Sequence, residues 1–390
     1  MQVEAKKFVT YMLVGLITFA INVEGLLNLA FGGIEAGALN PVLAPMFLFC
    51  LLGICLFSTH IRMSLRDNEI RGLMILLVPL VILVLLAGVF GDSLAKAFRD
   101  IVYFGLIVAL LVLVNAYIKN KLIESEKLIN SIFYINAILM PLLSFFILGL
   151  DSGFGGRMAG FMLSPPVFAN TLFLLSAMYL AIGKGWGWFR VLSLIVPVVF
   201  ILLSGTRTAL ALFILFLFCY MWFSTPSSIV KVRLFSTVFL LLLLFLLLFG
   251  GSINDAIIDS GSRMASVDDL EGGSLGTRIL WYMRLISALS EDFYVGGFGA
   301  GSSENLLGYI THFDFLRYWF DYSILSLVLL MWLFYRLSML TIARPGFQLL
   351  FIVNILILTF LSTHNIFQGP ATVMLAALYL YYSPKIITDQ

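Results

Sequence analysis

Charge is scarce in this sequence: Asp, Glu, Lys and Arg make up 11% of its 390 residues, and the formal net charge is only +2. The few basic residues are scattered through short polar breaks, so the chain offers no basic stripe for nucleic acid. Histidine and cysteine are scarcer still, at 3 residues each. Cys50 and Cys55 lie in one apolar run and Cys219 in another. No CxxC spacing or disulfide framework follows from them, and all three read as packing residues. Neither HExxH nor DxD occurs, so nothing in the sequence supports a metal-dependent mechanism. The Gly-rich stretch GGFGAGS lacks the GxGxxG and GK[ST] patterns, which excludes a nucleotide fingerprint and leaves Gly296, Gly297, Gly299 and Gly301 as a tight turn.

Apolar sequence is what the chain has in abundance. Hydrophobic residues reach 61% and Phe alone numbers 36, with a mean hydropathy of +1.06, against roughly 45–50% apolar content in soluble domains. Repeated apolar runs of about twenty residues match a bilayer core of roughly 30 Å. The chain therefore reads as all-α, one integral membrane domain over residues 1–390. Spans are expected near 8–31, 41–59, 72–91, 101–118, 128–149, 166–183, 191–205, 208–224, 233–249, 318–335, 347–362 and 370–383. These make about twelve transmembrane helices, with a long loop at 250–321 between the ninth and tenth. The opening MQVEAKK runs straight into the first span rather than into a short apolar segment with a cleavage site, so that span is expected to remain in the mature protein.

Orientation follows from the basic residues. With cytoplasmic termini, only Lys96, Arg99, Arg157, Arg207, Arg263, Arg278, Arg284 and Arg317 fall outside, and every other Lys and Arg faces the cytoplasm. The long loop is then external. Outside, Arg displaces Lys almost completely, although a plain solvated surface would tolerate either. Arg carries a planar, permanently charged fork that grips phosphate or carboxylate in two places at once. An anionic ligand at the external mouth of the bundle is the expectation, and a pyrophosphate held at the lipid surface fits it.

Arg157 lies in the Gly- and Pro-rich break DSGFGGRMAGFMLSPPVFAN, where an interfacial Arg reaching for headgroups is the plainer alternative. Arg207, in SGTRTAL, sits between two spans separated by almost nothing. An unpaired charge at a helix centre in the bilayer costs roughly 2.5–3.5 kcal/mol, less toward the interface, so Arg207 reads as functional. The loop contains a helical stretch, GTRILWYMRLISALSED, on which Arg278 and Arg284 project about 120° apart. They are not expected to grip the same group. Arg278 is the better candidate, and Arg284 the plainer surface charge. His312 stands in THFDFLRYWFDYSIL just before a span; among arginines an imidazole stays neutral and able to accept a proton, as a general base must. Asp314 and Arg317, i and i+3 on the same stretch, read as a local ion pair. His364, in STHNIFQGPA, is open between a turn role and acceptor binding, and His60 reads as interfacial. Glu24, the acidic residue well inside an expected span, lies toward its outer end.

Taken in order, GGRMAGFMLSPPVFAN, SGTRTALAL, GTRILWYMRLISAL with GGFGAG, and THFDFLRYWFDYSIL resemble the bacterial O-antigen polymerase and O-antigen ligase superfamily, over roughly residues 150–335. The resemblance implies a class C glycosyltransferase (GT-C) fold at the outer face of the bacterial inner membrane, with the active site facing the periplasm. It implies an undecaprenyl-pyrophosphate-linked oligosaccharide as donor, no metal or other cofactor, surface-polysaccharide synthesis in the membrane, and a chain-length regulator protein as a partner. Arg157, Arg207 and Arg278 match the family's donor-contacting positions and His312 its base, with Arg284, Asp314, Arg317 and His364 as additional candidates. THFD replaces the commoner His-Asn opening, and DYSILS lacks the glycine usual there. Between the family's two activities the short loops favour a polymerase, whose acceptor is a second lipid-linked repeat unit, over a ligase that transfers to lipid A core. A transporter would show two similar halves with broken helices at mid-membrane, and no repeat is visible. A non-catalytic scaffold would not need external Arg and His.

Overall fold

The structure, a computed structural model, describes residues 2–33, 35, 38–57, 68–121, 123–149, 157–182, 188–224, 236, 274–308, 314–339 and 369–382. Among these every regular element is helical. Five helices are long and apolar enough to cross a membrane: Lys7–Phe31, Ile70–Phe90, Leu94–Lys119, Ser125–Leu148 and Pro165–Ile182. Shorter apolar helices cover Asn40–Cys55, Leu192–Leu203, Thr208–Leu217, Ile324–Leu337 and Pro370–Tyr382. Each falls on an expected span. The expected spans at 233–249, residue 236 apart, and 347–362 and the loop residues 250–273 lie outside the described residues.

In chain order the helices are α1 (Gln2–Phe31), α2 (Asn40–Phe57), α3 (Asn68–Phe90), α4 (Leu94–Lys119), α5 (Ser125–Phe133) and α6 (Met140–Leu148). They continue with α7 (Pro165–Ile182), α8 (Trp188–Leu203), α9 (Arg207–Ser224), α10 (Ser274–Glu291), α11 (Ser302–Leu307), α12 (Asp314–Tyr322), α13 (Ile324–Met339) and α14 (Pro370–Tyr382). Three of them, α4, α7 and α14, are buried along nearly their whole length. They form the centre, with α2 and α3 against α4, α8 and α9 against α7, and α13 against α3. Helix α3 shows why the rest faces lipid. Ile75, Val78, Ile82, Leu86 and Val89 recur at helical spacing on its exposed side, a continuous apolar stripe that water would penalise and a bilayer accepts.

Three boundaries differ from the sequence expectation. Helix α4 begins at Leu94 rather than near 101, because Ser93 caps it by accepting from the Lys96 backbone N–H at 3.3 Å. Between α5 and α6 the chain passes through a π-helical stretch, Tyr134–Leu139. Its Asn136 donates to Thr18 Oγ1 and the Ile132 carbonyl, both at 2.9 Å, and accepts from Asn22 at 2.7 Å, so α1 is joined to the wide turn by a buried amide pair. The apolar helix expected at 318–335 begins at Ile324 rather than at 318. Residues up to Tyr322 form the separate helix α12, and Ser323, at φ 98°, breaks the chain between them.

Candidate functional site

The described end of the long loop folds as a cap with its own core. Helix α10 turns Leu285 and Leu289 inward against Leu307 of α11 and Leu316 and Phe320 of α12, with Trp281, Tyr282, Ala288 and Trp319 packed around them. The glycine turn expected from the sequence is present and does two jobs. It satisfies the last carbonyls of α12, which would otherwise be orphans at a helix end: Gly297 N and Phe298 N donate to Phe320 O at 2.8 and 3.1 Å, and Gly299 N to Asp321 O at 3.0 Å. It then lays the cap on the bundle. Gly299 (φ 110°) meets Gly91 in the α3–α4 turn backbone to backbone, so a Cβ on either would strike the other, and Ala300 N donates to Ala87 O at 2.9 Å. Around this contact Asn305 Nδ2 donates to Asp92 at 2.7 Å, and Lys96 pairs with Glu304.

Behind the contact sits a buried charge cluster. Asp100, fully buried on α4, accepts from Arg317 Nη1 at 3.0 Å, from the Tyr322 hydroxyl at 2.7 Å and from Arg99 Nε at 3.3 Å. Arg317 is 2% exposed, and its guanidinium lies over the Tyr318 ring at 4.8 Å. Next to it, Asp321 accepts backbone N–H bonds from Ser303 at 2.8 Å and Gly301 at 3.3 Å. Burial pushes the Asp321 carboxyl up to about 6, against the opposing pull of Arg317 and those N–H groups.

A second polar group forms where α8 turns into α9. Arg157 Nε donates to the Ser204 carbonyl at 2.7 Å and its Nη2 to Thr206 Oγ1 at 3.4 Å, while Met158 N donates to Leu203 O at 3.1 Å. Arg207 is the first residue of α9, so the turn that Arg157 holds leads directly into Arg207. This turn and the cap share one end of the bundle. Gly25, beside Glu24 on α1, packs on the Phe161 backbone just after Arg157, and Glu24 and Tyr103 of α4 are close enough to act on each other electrostatically. Gly369, at the start of α14, meets Asn40, which begins α2. Near its far end α14 donates from Tyr381 to Asn115 of α4 at 3.3 Å.

The other sequence candidates are placed as follows. Arg278 lies in the first turns of α10, and Arg284 is exposed on that helix. Asp314 opens α12, and Arg317 donates to Asp100, 217 residues away. His312, His364 and His60 lie outside the described residues, as does Arg263. Of the cysteines, Cys55 is half-buried, but Cys50 is exposed on the outside of α2 and packs no core.

Asp100, Tyr322, Asp321 and Lys96 were not among the sequence candidates. The signal for the first was available: Gly91-Asp92-Ser93 is a turn ending in an N-cap residue, which starts α4 at Leu94 and puts Asp100 nearly two turns inside it. The chain matches no protein-family model and no curated protein sequence.

Proposed function

We propose that this chain is a twelve-span, metal-independent glycosyltransferase of the O-antigen polymerase type, working at the periplasmic face of a bacterial inner membrane with both termini cytoplasmic. It transfers an undecaprenyl-pyrophosphate-linked glycan to a hydroxyl of another lipid-linked repeat unit. The acceptor oxygen attacks the anomeric carbon of the donor, the bond from that carbon to the pyrophosphate oxygen breaks, and the undecaprenyl pyrophosphate leaves as an anion. Arg157, Arg207 and Arg278 hold that anion, and His312 takes the acceptor's proton. The observation carrying this reading is the junction of Arg157 with the N-terminus of α9, where Arg207 begins. A permanently charged fork beside a helix N-terminus suits a phosphate group. The cap that leads through α12 toward His312 docks at the same end of the bundle.

Purified protein supplied with lipid-linked repeat units should yield glycan polymers with lipid-linked repeats alone. A product formed only when core lipid A is added would make the chain a ligase instead, and no glycan transfer under either condition would end the enzyme reading. Within that assay, Arg157→Lys and Arg207→Lys should each lower turnover. Lys keeps the charge but loses the fork; a lost hydrogen bond to a charged group is worth about 1.5–3 kcal/mol, or roughly 10- to 100-fold. Wild-type turnover in both folded variants would reduce these arginines to interfacial charges.

A further inference from the structure

Just after α10 the chain does something expensive with an aromatic residue. Phe293 and Tyr294 both take left-handed backbone, at φ 52° and 62°, a region that residues with a Cβ occupy rarely and only when their surroundings enforce it. The enforcement is visible. Tyr294 N donates to Leu289 O at 2.7 Å, Val295 N to Asp292 O at 3.1 Å, and Trp319 Nε1 to the Tyr294 carbonyl at 2.7 Å. What this rigid turn achieves is to hold Phe293 outward at 90% exposure, with Val295 and Phe298 also exposed. Tyr294 lies against Trp319 with ring centroids 6.2 Å apart and Phe298 against Phe320 at 4.5 Å, which joins the turn to the cap core; Phe293 is in neither pair.

The surface on which these side chains open is continuous with the lipid-facing surface of the bundle on both sides. Val295 O accepts from Ile324 N at 2.9 Å, and Ile324, Leu325 and Val328 are the exposed apolar residues that start α13. On the other side, Phe298 precedes the Gly299–Gly91 contact, and Phe90, which precedes Gly91, is 82% exposed at the end of the apolar stripe of α3. Helices α3 and α13 pack on each other. The segment thus bridges the ends of two neighbouring lipid-facing helices. Its polar boundary is abrupt, because the exposed acidic residues Glu291 and Asp292 immediately precede Phe293.

We infer that residues 293–298 are a membrane-contact segment: the cap inserts Phe293, Val295 and Phe298 among the lipid chains beside α3 and α13, while Glu291 and Asp292 stay in water. The occupant of this surface is lipid hydrocarbon, because the apolar exposure neither begins nor ends at the cap but runs into helix faces that lipid already covers. The insertion is shallow, as for an aromatic-anchored interfacial segment, about 5–10 Å below the headgroup boundary. It fixes one edge of the cap in the bilayer, independently of what reaction the cap serves.

The test uses full-length protein with Cys50, Cys55 and Cys219 changed to Ser, reconstituted in phosphatidylcholine–phosphatidylglycerol vesicles, carrying one nitroxide label at a time. Labels go on Phe293→Cys, Val295→Cys and Phe298→Cys, with Phe90→Cys as the lipid-facing reference and Ser290→Cys as the aqueous one. Phe293 and Val295 should collide with oxygen in preference to a water-soluble nickel chelate, as the label at Phe90 does, and opposite to Ser290. A chelate preference like that of Ser290 at Phe293 and Val295 would overturn the inference. So would spin–spin broadening at these sites, which would put a second copy of the chain on the surface in place of lipid. Neither readout depends on glycosyl transfer, so a failed polymerase assay leaves it intact.

Discussion

Replacing His312 with Ala is expected to slow polymerisation at least about 100-fold while leaving membrane insertion and donor binding in place, because a positioned general base contributes about 100- to 10,000-fold. Glycosyl transfer needs its acceptor hydroxyl to lose a proton as the pyrophosphate departs, and a departing anion held by arginine needs no acid. The change therefore removes proton transfer and not affinity, so it lowers the turnover number with little change in the Michaelis constant for donor. The acid limb of the pH–rate profile that an unprotonated base produces should vanish from the residual activity of the Ala variant. His60→Ala should be nearly silent. Polymerisation by the His312→Ala protein within a few-fold of wild type would make the base assignment wrong and leave His364 to be tried next.

Local signals carried most of what the sequence revealed. Apolar runs located the described spans because length and hydropathy report on each helix alone, and the glycines at 296–301 announced a return to the bundle because four positive-φ positions suit few other residues. The same locality explains the misses. The π-helical stretch at Tyr134–Leu139 serves a contact between Asn136 and α1 that no window of sequence contains. Asp100 was invisible as a partner for Arg317 because it comes from α4 and is brought near only by docking of the cap. Arg157 and Arg207 were chosen as separate motifs for their chemistry, but their convergence on the α8–α9 turn depended on the Met158–Leu203 backbone bond, which carries no residue signature. The left-handed turn at Phe293 likewise carries no residue signature.

Asp100 should prove the least replaceable residue of the bundle for stability. Its carboxylate is the junction through which α4 holds α12 at two places, Arg317 and Tyr322, and α12 opens two residues after His312. Asp100→Asn preserves shape but takes from the buried Arg317 cation the carboxylate to which it donates. Removing one partner of a buried ion pair costs about 3–5 kcal/mol, whereas removing both and filling the space with apolar groups is often neutral. The single variant should therefore lose much of its thermal stability in detergent, and Asp100→Asn combined with Arg317→Met should recover most of it, a non-additivity expected of side chains in direct contact. Tyr322→Phe, which removes one hydrogen bond to the carboxylate, should cost less, about 1.5–3 kcal/mol. Thermal unfolding of these four proteins and of Arg317→Met alone, followed by intrinsic tryptophan fluorescence, decides the matter. If Asp100→Asn unfolds with wild type, or if the double variant is weaker than the single by the full cost of Arg317→Met, then the pair does not hold the cap. In the recovered double variant transfer should still be at least about tenfold slow, since apolar packing restores the fold without the directional bond that sets α12, and mispositioning of reacting groups by about 1 Å is enough for losses of that size.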